Sequence, residues 1–256
     1  MQRLLMFAVL STLASCAAPR VDVGASLGQL SIDGRFGVQA GPVAGTSSFA
    51  DLGVDKDSGV PGARVDLDFG SPHLSIAYDS SSFAGDGTTT SEFSQQGVVI
   101  PLGTDVRTRA DLDVFSLACT FDLVPGDTVE FGIGLGATVV DVQGAIDQIG
   151  GPNTIDVDQI LPLPLLAARG GVDLGDFELL GALSGMDLTL SGDSVRVIDL
   201  DLAAQYRFLG GSDRLSLAAR AGWRYINIDA DYEDRDDNVR LDMGVDGPYL
   251  GLVIGF

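Results

Sequence analysis

Basic side chains, cysteine and histidine are scarce in this 256-residue chain: 15 lysines and arginines face 36 acids, with two cysteines and one histidine. The formal charge of −21 weighs against nucleic acid and against electrostatic attachment to anionic lipid, because phosphates would be repelled. Two cysteines cannot build a disulfide framework. Long apolar runs are also missing after the N-terminus, and none approaches the ~20 residues of a membrane helix. Yet 45% of the residues are hydrophobic, which excludes a disordered acidic chain. That apolar surface needs a place to go.

The first segment, "MQRLLMFAVLSTLASC", carries Arg3, an apolar run from Leu4 to Leu10 and small residues before Cys16. It reads as a secretory signal and is set apart from the fold. The stretch Leu13-Ala14-Ser15-Cys16 resembles a bacterial lipobox, which implies a signal over 1–15 and lipidation of Cys16. Cleavage after Ala18, with a signal over 1–18, is the alternative. A lipidated mature chain would keep Cys119 alone, with no internal disulfide.

Helical periodicity is rare in the remainder, and alternation with a period of two is common. Val129, Phe131, Ile133, Leu135, Ala137 and Val139 alternate with Glu130, three glycines and Thr138. Leu215 to Tyr225 and Ile198 to Phe208 do the same, and the first strand sets Leu30, Ile32, Phe36 and Val38 against Ser31, Asp33, Arg35 and Gln39. The pattern predicts ten strands, at 22–40, 61–70, 72–83, 105–122, 127–143, 157–173, 176–190, 194–208, 213–231 and 238–256. Several are long enough to cross a bilayer when tilted. Short Gly/Pro/Asp turns alternate with mostly longer acidic or Gly/Ser/Thr-rich connections at 41–60, 84–104, 144–156 and 232–237, as in barrels with short periplasmic turns and long outer loops. The expected fold is therefore all-β: one closed antiparallel up-and-down transmembrane β-barrel over 22–256, with eight or twelve strands as alternatives. A soluble sandwich or lipocalin-like barrel also alternates. Aromatics near strand ends, among them Tyr78, Tyr206, Trp223 and Phe256, favour the membrane form.

The chain ends "DGPYLGLVIGF", with Leu250, Leu252, Ile254 and Phe256 apolar at alternate places. This resembles the C-terminal assembly signal of Gram-negative outer-membrane proteins, although a Tyr frequent at the third place from the end is Ile254 here. The segment from "GWRYINIDADYEDRDD" onward is similar to the closing hairpin of small outer-membrane barrels of OmpA- and OmpW-type architecture. The resemblance implies recognition by the barrel-assembly machinery and contact with outer-membrane lipid and lipopolysaccharide.

On that reading the polar faces line the lumen. They place Asp33, Arg35, Arg64, Asp66, Asp199, Asp201, Arg207, Arg220 and Arg224 inside. One register of the hairpin around Leu209–Asp213 sets Asp199 opposite Arg224 and Ala203 opposite Arg220, with Asp201 diagonal to both arginines. Buried charges must be paired or hydrated, so an internal Asp/Arg network is expected. It either fills a small structural barrel or forms the charged constriction of a narrow pore. A third reading, implied by OmpW-type barrels, is a channel for small hydrophobic molecules, for which Phe93, Val98, Val99 and Ile100 are the candidate lining. His73 lies near Ser71, Ser75 and Asp79 without a recognisable catalytic constellation, so no enzyme is expected. Asp55, Asp57, Asp234 and Asp236 are weak metal candidates, because neither acidic loop completes a calcium signature. No cofactor and no nucleic-acid partner are expected.

Overall fold

The computed structural model describes residues 19–39, 46–54, 58–95, 97–126, 128–190, 193–210, 215–233 and 238–256. Ten long strands carry the fold: β1 (Arg20–Gln39), β2 (Ser58–Asp68), β3 (His73–Thr88), β4 (Asp105–Val124), β5 (Val129–Gln148), β6 (Thr154–Asp173), β7 (Phe177–Leu190), β8 (Asp193–Leu209), β9 (Ser216–Glu233) and β10 (Asn238–Gly255). Each pairs antiparallel with its sequence neighbours, and β10 returns to β1 from Asp22↔Gly255 to Gln39↔Asn238. This closes the strand order into a ring with no edge strand, the condition for spanning a bilayer with strands. A short hairpin, Phe93–Gln95 with Val98–Ile100, sits in the connection between β3 and β4.

The wall has two storeys. Near the chain ends and the short turns, apolar side chains point outward: Leu27 is 70% exposed, Leu135 67%, Leu250 70% and Phe256 60%. On β5 this outward series runs from Val129 to Val139, roughly 33 Å along the strand at about 3.3 Å per residue. At a tilt of about 40° it covers about 25 Å of membrane normal, the height of an outer-membrane apolar band. The next outward residues are polar on strand after strand: Gln29, Ser80, Asp113, Asp141, Asp158, Asp187, Arg196 and Asn227. Tyr78 marks the boundary, donating from its hydroxyl to Asp113 Oδ1 at 3.0 Å.

Above that boundary the inside is apolar. Leu30, Ile32, Phe83, Val106, Leu112, Val114, Val140, Ile146, Leu163, Val197, Ile228 and Met243 form one buried core. Here the expectation from the first strand is corrected. Leu30 and Ile32 face inward, whereas Asp33 and Arg35 stand exposed on the outer wall. Alternation has no preferred side, and above the bilayer the outer wall meets water, so the apolar face must turn in. The switch falls where two apolar residues are adjacent: Val114-Phe115, Val139-Val140, Val197-Ile198 and Tyr225-Ile226. Val114 lies opposite Val140, and Phe115 opposite Val139, so β4 and β5 switch at one level.

Candidate functional site

The lumen of the lower storey is polar because its inward residues alternate with the lipid-facing ones. Strands β2, β3, β8, β9 and β10 deliver the charges. Arg64 donates from Nε to both carboxylate oxygens of Asp66 at 3.0 Å and from Nη1 to Asp201 Oδ2 at 2.8 Å. The Tyr249 hydroxyl donates to Asp201 Oδ1 at 2.7 Å, and Ser75 Oγ to Asp66 Oδ1 at 2.6 Å. Arg224 donates from Nη2 to Asp199 Oδ2 at 3.0 Å and from Nη1 to Asp79. Arg220 donates from Nε to Gln205 at 3.0 Å and lies 3.9 Å from Asp66. Two of these bonds cross the lumen, Arg64 to Asp201 and Arg224 to Asp79. They clamp the N-terminal strands to the C-terminal ones.

The structure brings Arg64, Asp66, Asp199, Asp201, Arg220 and Arg224 together, in a register different from the one expected. Asp201 is opposite Arg224 and Gln205 opposite Arg220, while Asp199 faces Ile226. The ladder shifts register between Arg207 and Leu209, and Arg224 is long enough to reach Asp199 diagonally. Arg207 is not in the cluster: its Nη1 lies 3.4 Å from the Gly175 carbonyl at the periplasmic rim. Asp33 and Arg35 are excluded by the outward turn of upper β1. Cys16, Asp55, Asp57, Asp234 and Asp236 lie outside the described residues.

Sequence reasoning missed Asp79 and Tyr249 as members of the network, and it missed a second cluster near the periplasmic mouth. There Arg169 donates from Nη2 to Asp122 at 2.7 Å and from Nη1 to Glu130. His73 places Nε2 at 3.0 Å from Asp122 and Nδ1 at 3.4 Å from Asp68. Ser71 Oγ accepts from the Asp122 backbone N–H at 3.2 Å, so this serine turns to the main chain rather than to the histidine. Arg169 was legible as an inward polar position in an apolar strand, but its partners sit on β4 and β5. Only the register β4–β5–β6 brings them to one level.

A cavity of about 620 Å³ extends from Arg20, Asp22, Glu130 and Arg169 up to the charged layer, whose Arg64, Asp66, Asp199, Asp201, Arg220 and Arg224 line it as well. Above it the lumen is filled. Phe93 and Ile100 of the hairpin are fully buried, and Phe93 stacks on Phe36 with ring centroids 6.2 Å apart. Leu52 and Val54 from the connection between β1 and β2 are buried beside them. The main chain of residues 51–53 lies hard against β3, where a Cβ on Gly85 would stand 1.7 Å from the Gly53 carbonyl oxygen. Polar bonds tie the cap down: Thr89 Oγ1 donates to Pro101 O at 2.8 Å, and Ser47 Oγ accepts from the Thr90 and Ser91 N–H groups at 3.0 and 3.1 Å. The arrangement is thus a periplasmic vestibule, a charged layer and an apolar stopper.

A closed ten-stranded barrel with an outward apolar band of bilayer height and a polar lower lumen is an integral outer-membrane β-barrel. Its place is the outer membrane of a Gram-negative cell. No family model matches the chain, and no curated protein matches it in sequence. Among solved structures it is similar to the attachment invasion locus protein Ail of Yersinia pestis, at 11% identity over 94% of this chain and 100% of that one, with a TM-score of 0.31. It is also similar to the transport unit of the autotransporter AIDA-I from Escherichia coli (10% identity, 96% of each chain, TM-score 0.34). A Pseudomonas aeruginosa FadL homologue matches at 10% identity over 95% of this chain and 91% of that one, with a TM-score of 0.31. None of the three bears on what this barrel does.

Proposed function

We propose that this protein is a non-conducting, non-catalytic structural barrel that presents its upper storey at the cell surface. The observation that carries the reading is the apolar stopper: Phe93, Ile100, Leu52 and Val54 occupy the upper lumen with at most 1% of their surface exposed. A pore needs a continuous hydrated path, and a passage lined by apolar side chains in contact excludes water. Of the four residues that suggested a hydrophobic channel, Phe93 and Ile100 are buried in the core, Val98 packs against it and Val99 is 41% exposed. The charged layer then acts as a cross-lumen clamp. Among the described residues His73 pairs with Asp122 and Asp68 rather than with a nucleophile.

The same reading keeps the partners as lipid, lipopolysaccharide and the barrel-assembly machinery. The last is offered the side chains of Leu250, Leu252, Ile254 and Phe256 in an exposed row. It also keeps lipidation at Cys16, which mass spectrometry of the membrane-extracted protein tests directly. The closing experiment is recording in planar bilayers. Silence is expected across moderate voltages, and regular openings of defined conductance from the purified wild-type chain would overturn the proposal.

A further inference from the structure

The barrel wall is not zipped to the same height everywhere. The β5–β6 ladder runs unbroken from Val129↔Val172 to Asp147↔Thr154. The β6–β7 ladder begins at Glu178↔Asp173 and ends at Gly185↔Leu166, although both strands continue above that point. Extending its register would pair Pro164 with Asp187 and Pro162 with Thr189. Because β5–β6 is continuous through Pro162↔Val139 and Pro164↔Ala137, each proline must sit at a non-hydrogen-bonded place of that ladder, with its ring nitrogen toward β7. The two donors that would carry the β6–β7 ladder upward are therefore missing from the sequence. The other short ladder, β2–β3, is bridged above its end by Ser58, whose Oγ donates to Ser82 O at 2.7 Å.

One side chain shows that the wall is open beside the prolines. Leu188 points inward by the alternation of its strand, yet it is 45% exposed. The surroundings are apolar on the inside, and on the outside apolar side chains stand beside the exposed Asp187–Arg196 ion pair. Ile160 and Leu166 are 62% and 70% exposed on the outside, and Leu161 and Met186 pack against the core on the inside. The depth follows from the register. Pro162 and Pro164 lie opposite Val139 and Ala137, the last apolar outward residues of β5, and β7 presents Asp187 at the same level, so the opening is at the outer-leaflet edge of the band.

We propose that the seam between upper β6 and upper β7 is a lateral docking site for an acyl chain of an outer-leaflet lipid, seated against Leu161, Met186 and Leu188. An acyl chain fits this opening because it needs no hydrogen bond from an edge that cannot give one. A second copy of the chain adding a strand would need the donors that Pro162 and Pro164 lack. The seam ends blind on the apolar core, so the inference is independent of whether the lumen conducts.

The test uses the full chain in phosphatidylcholine vesicles, compared with the same lipid brominated mid-chain, which quenches tryptophan on contact. The native Trp223, 49% exposed on the outer wall, gives the reference for full lipid contact. In a Trp223→Phe background, Leu188→Trp should lose emission as Trp223 does, whereas Met243→Trp, inward on the sealed β10 wall, should not. Met186→Trp serves as a second reporter should Leu188→Trp fail to fold, as judged by heat-modifiable gel mobility. Pro162→Val with Pro164→Val restores both donors, and should zip the seam and abolish quenching at position 188. Quenching at 188 no greater than at 243 would overturn the proposal. So would quenching that survives the double proline replacement, or an unquenched reporter in a protein that sediments as a dimer.

Discussion

Replacing Arg224 by alanine separates a closed lumen from an open one. The Arg224 side chain is 12% exposed, Asp199 12% and Asp79 20%, and the three meet in the middle of the lumen. At the 3.0 Å separation of Arg224 and Asp199, an effective dielectric constant of ~20 gives a gross attraction of about 5 kcal/mol. Desolvation offsets part of that. Removing one partner of a buried pair nevertheless leaves the other charge stranded, at a typical cost of about 3–5 kcal/mol. In a hydrated pore the stranded carboxylates would be solvated, and the loss would be about 1 kcal/mol or less. Urea unfolding in lipid vesicles, followed by Trp223 emission, measures the difference. Trp223 precedes Arg224 but faces lipid, so it reports unfolding without touching the pair. The expected loss for Arg224→Ala is about 3–5 kcal/mol, and adding Asp79→Asn and Asp199→Asn should recover most of it. A loss below about 1 kcal/mol, unaltered by the two asparagines, would refute the dry clamp.

Other expectations use the same preparation. Phe93→Ala removes a fully buried ring from the stopper and should cost about 3–5 kcal/mol, read from the same unfolding curves; a near-neutral result would mean that the cap is not packed. Leu135→Arg, near the middle of the band, should cost about 2–4 kcal/mol, whereas Gln143→Arg, on the same outer face of β5 but above the boundary, should be nearly silent. Equal costs would misplace the bilayer. In the cap, the hydrogen bond from Ser48 holds the exposed Asp51 carboxyl below its ordinary pKa. A pKa lower in the folded than in the unfolded state stabilises the cap above about pH 4 and is lost as pH falls through the folded value. Ser48→Ala should raise the Asp51 pKa in a carbon-detected NMR titration, and an unmoved titration would dismiss the bond.

The ten strands were legible because alternation, turn chemistry and the final aromatic agree along most of the chain. What was hidden is the change of side. Leu30 and Ile32 continue a period-two pattern that Val23 and Leu27 had already begun on the other face. A reading that counts only the alternation cannot see which solvent each face meets. The adjacent pairs Val139-Val140 and Tyr225-Ile226 were the available signal, because an apolar side that changes sets two apolar residues next to each other, although Leu165-Leu166 and Leu179-Leu180 are adjacent without such a change. The charged layer was legible in its membership more than in its geometry. Arg64, Asp201 and Arg224 were visible as inward charges, but the two-residue offset of β8 on β9 comes with a register shift between Arg207 and Leu209 that alternation does not announce. The Asp122–Arg169–Glu130 cluster needs three strands in register, and no local pattern encodes that.

The cross-lumen clamp also bears on the order of assembly. Arg64 and Asp201 are 137 residues apart in sequence, and Arg224 and Asp79 are 145 apart. Neither pair can form while the sheet is still an open ribbon, however well each hairpin has folded. An unfinished barrel keeps the local Arg64–Asp66 and Arg224–Asp199 pairs but leaves Asp79 and Asp201 without their cross-lumen arginines on the face that is to become its interior. That face stays wet until the last hairpin meets the first strands, and only then do these carboxylates gain those partners. The same side chains that stiffen the finished wall thus make partial closure unfavourable and tie the release of lumen water to completion of the ring.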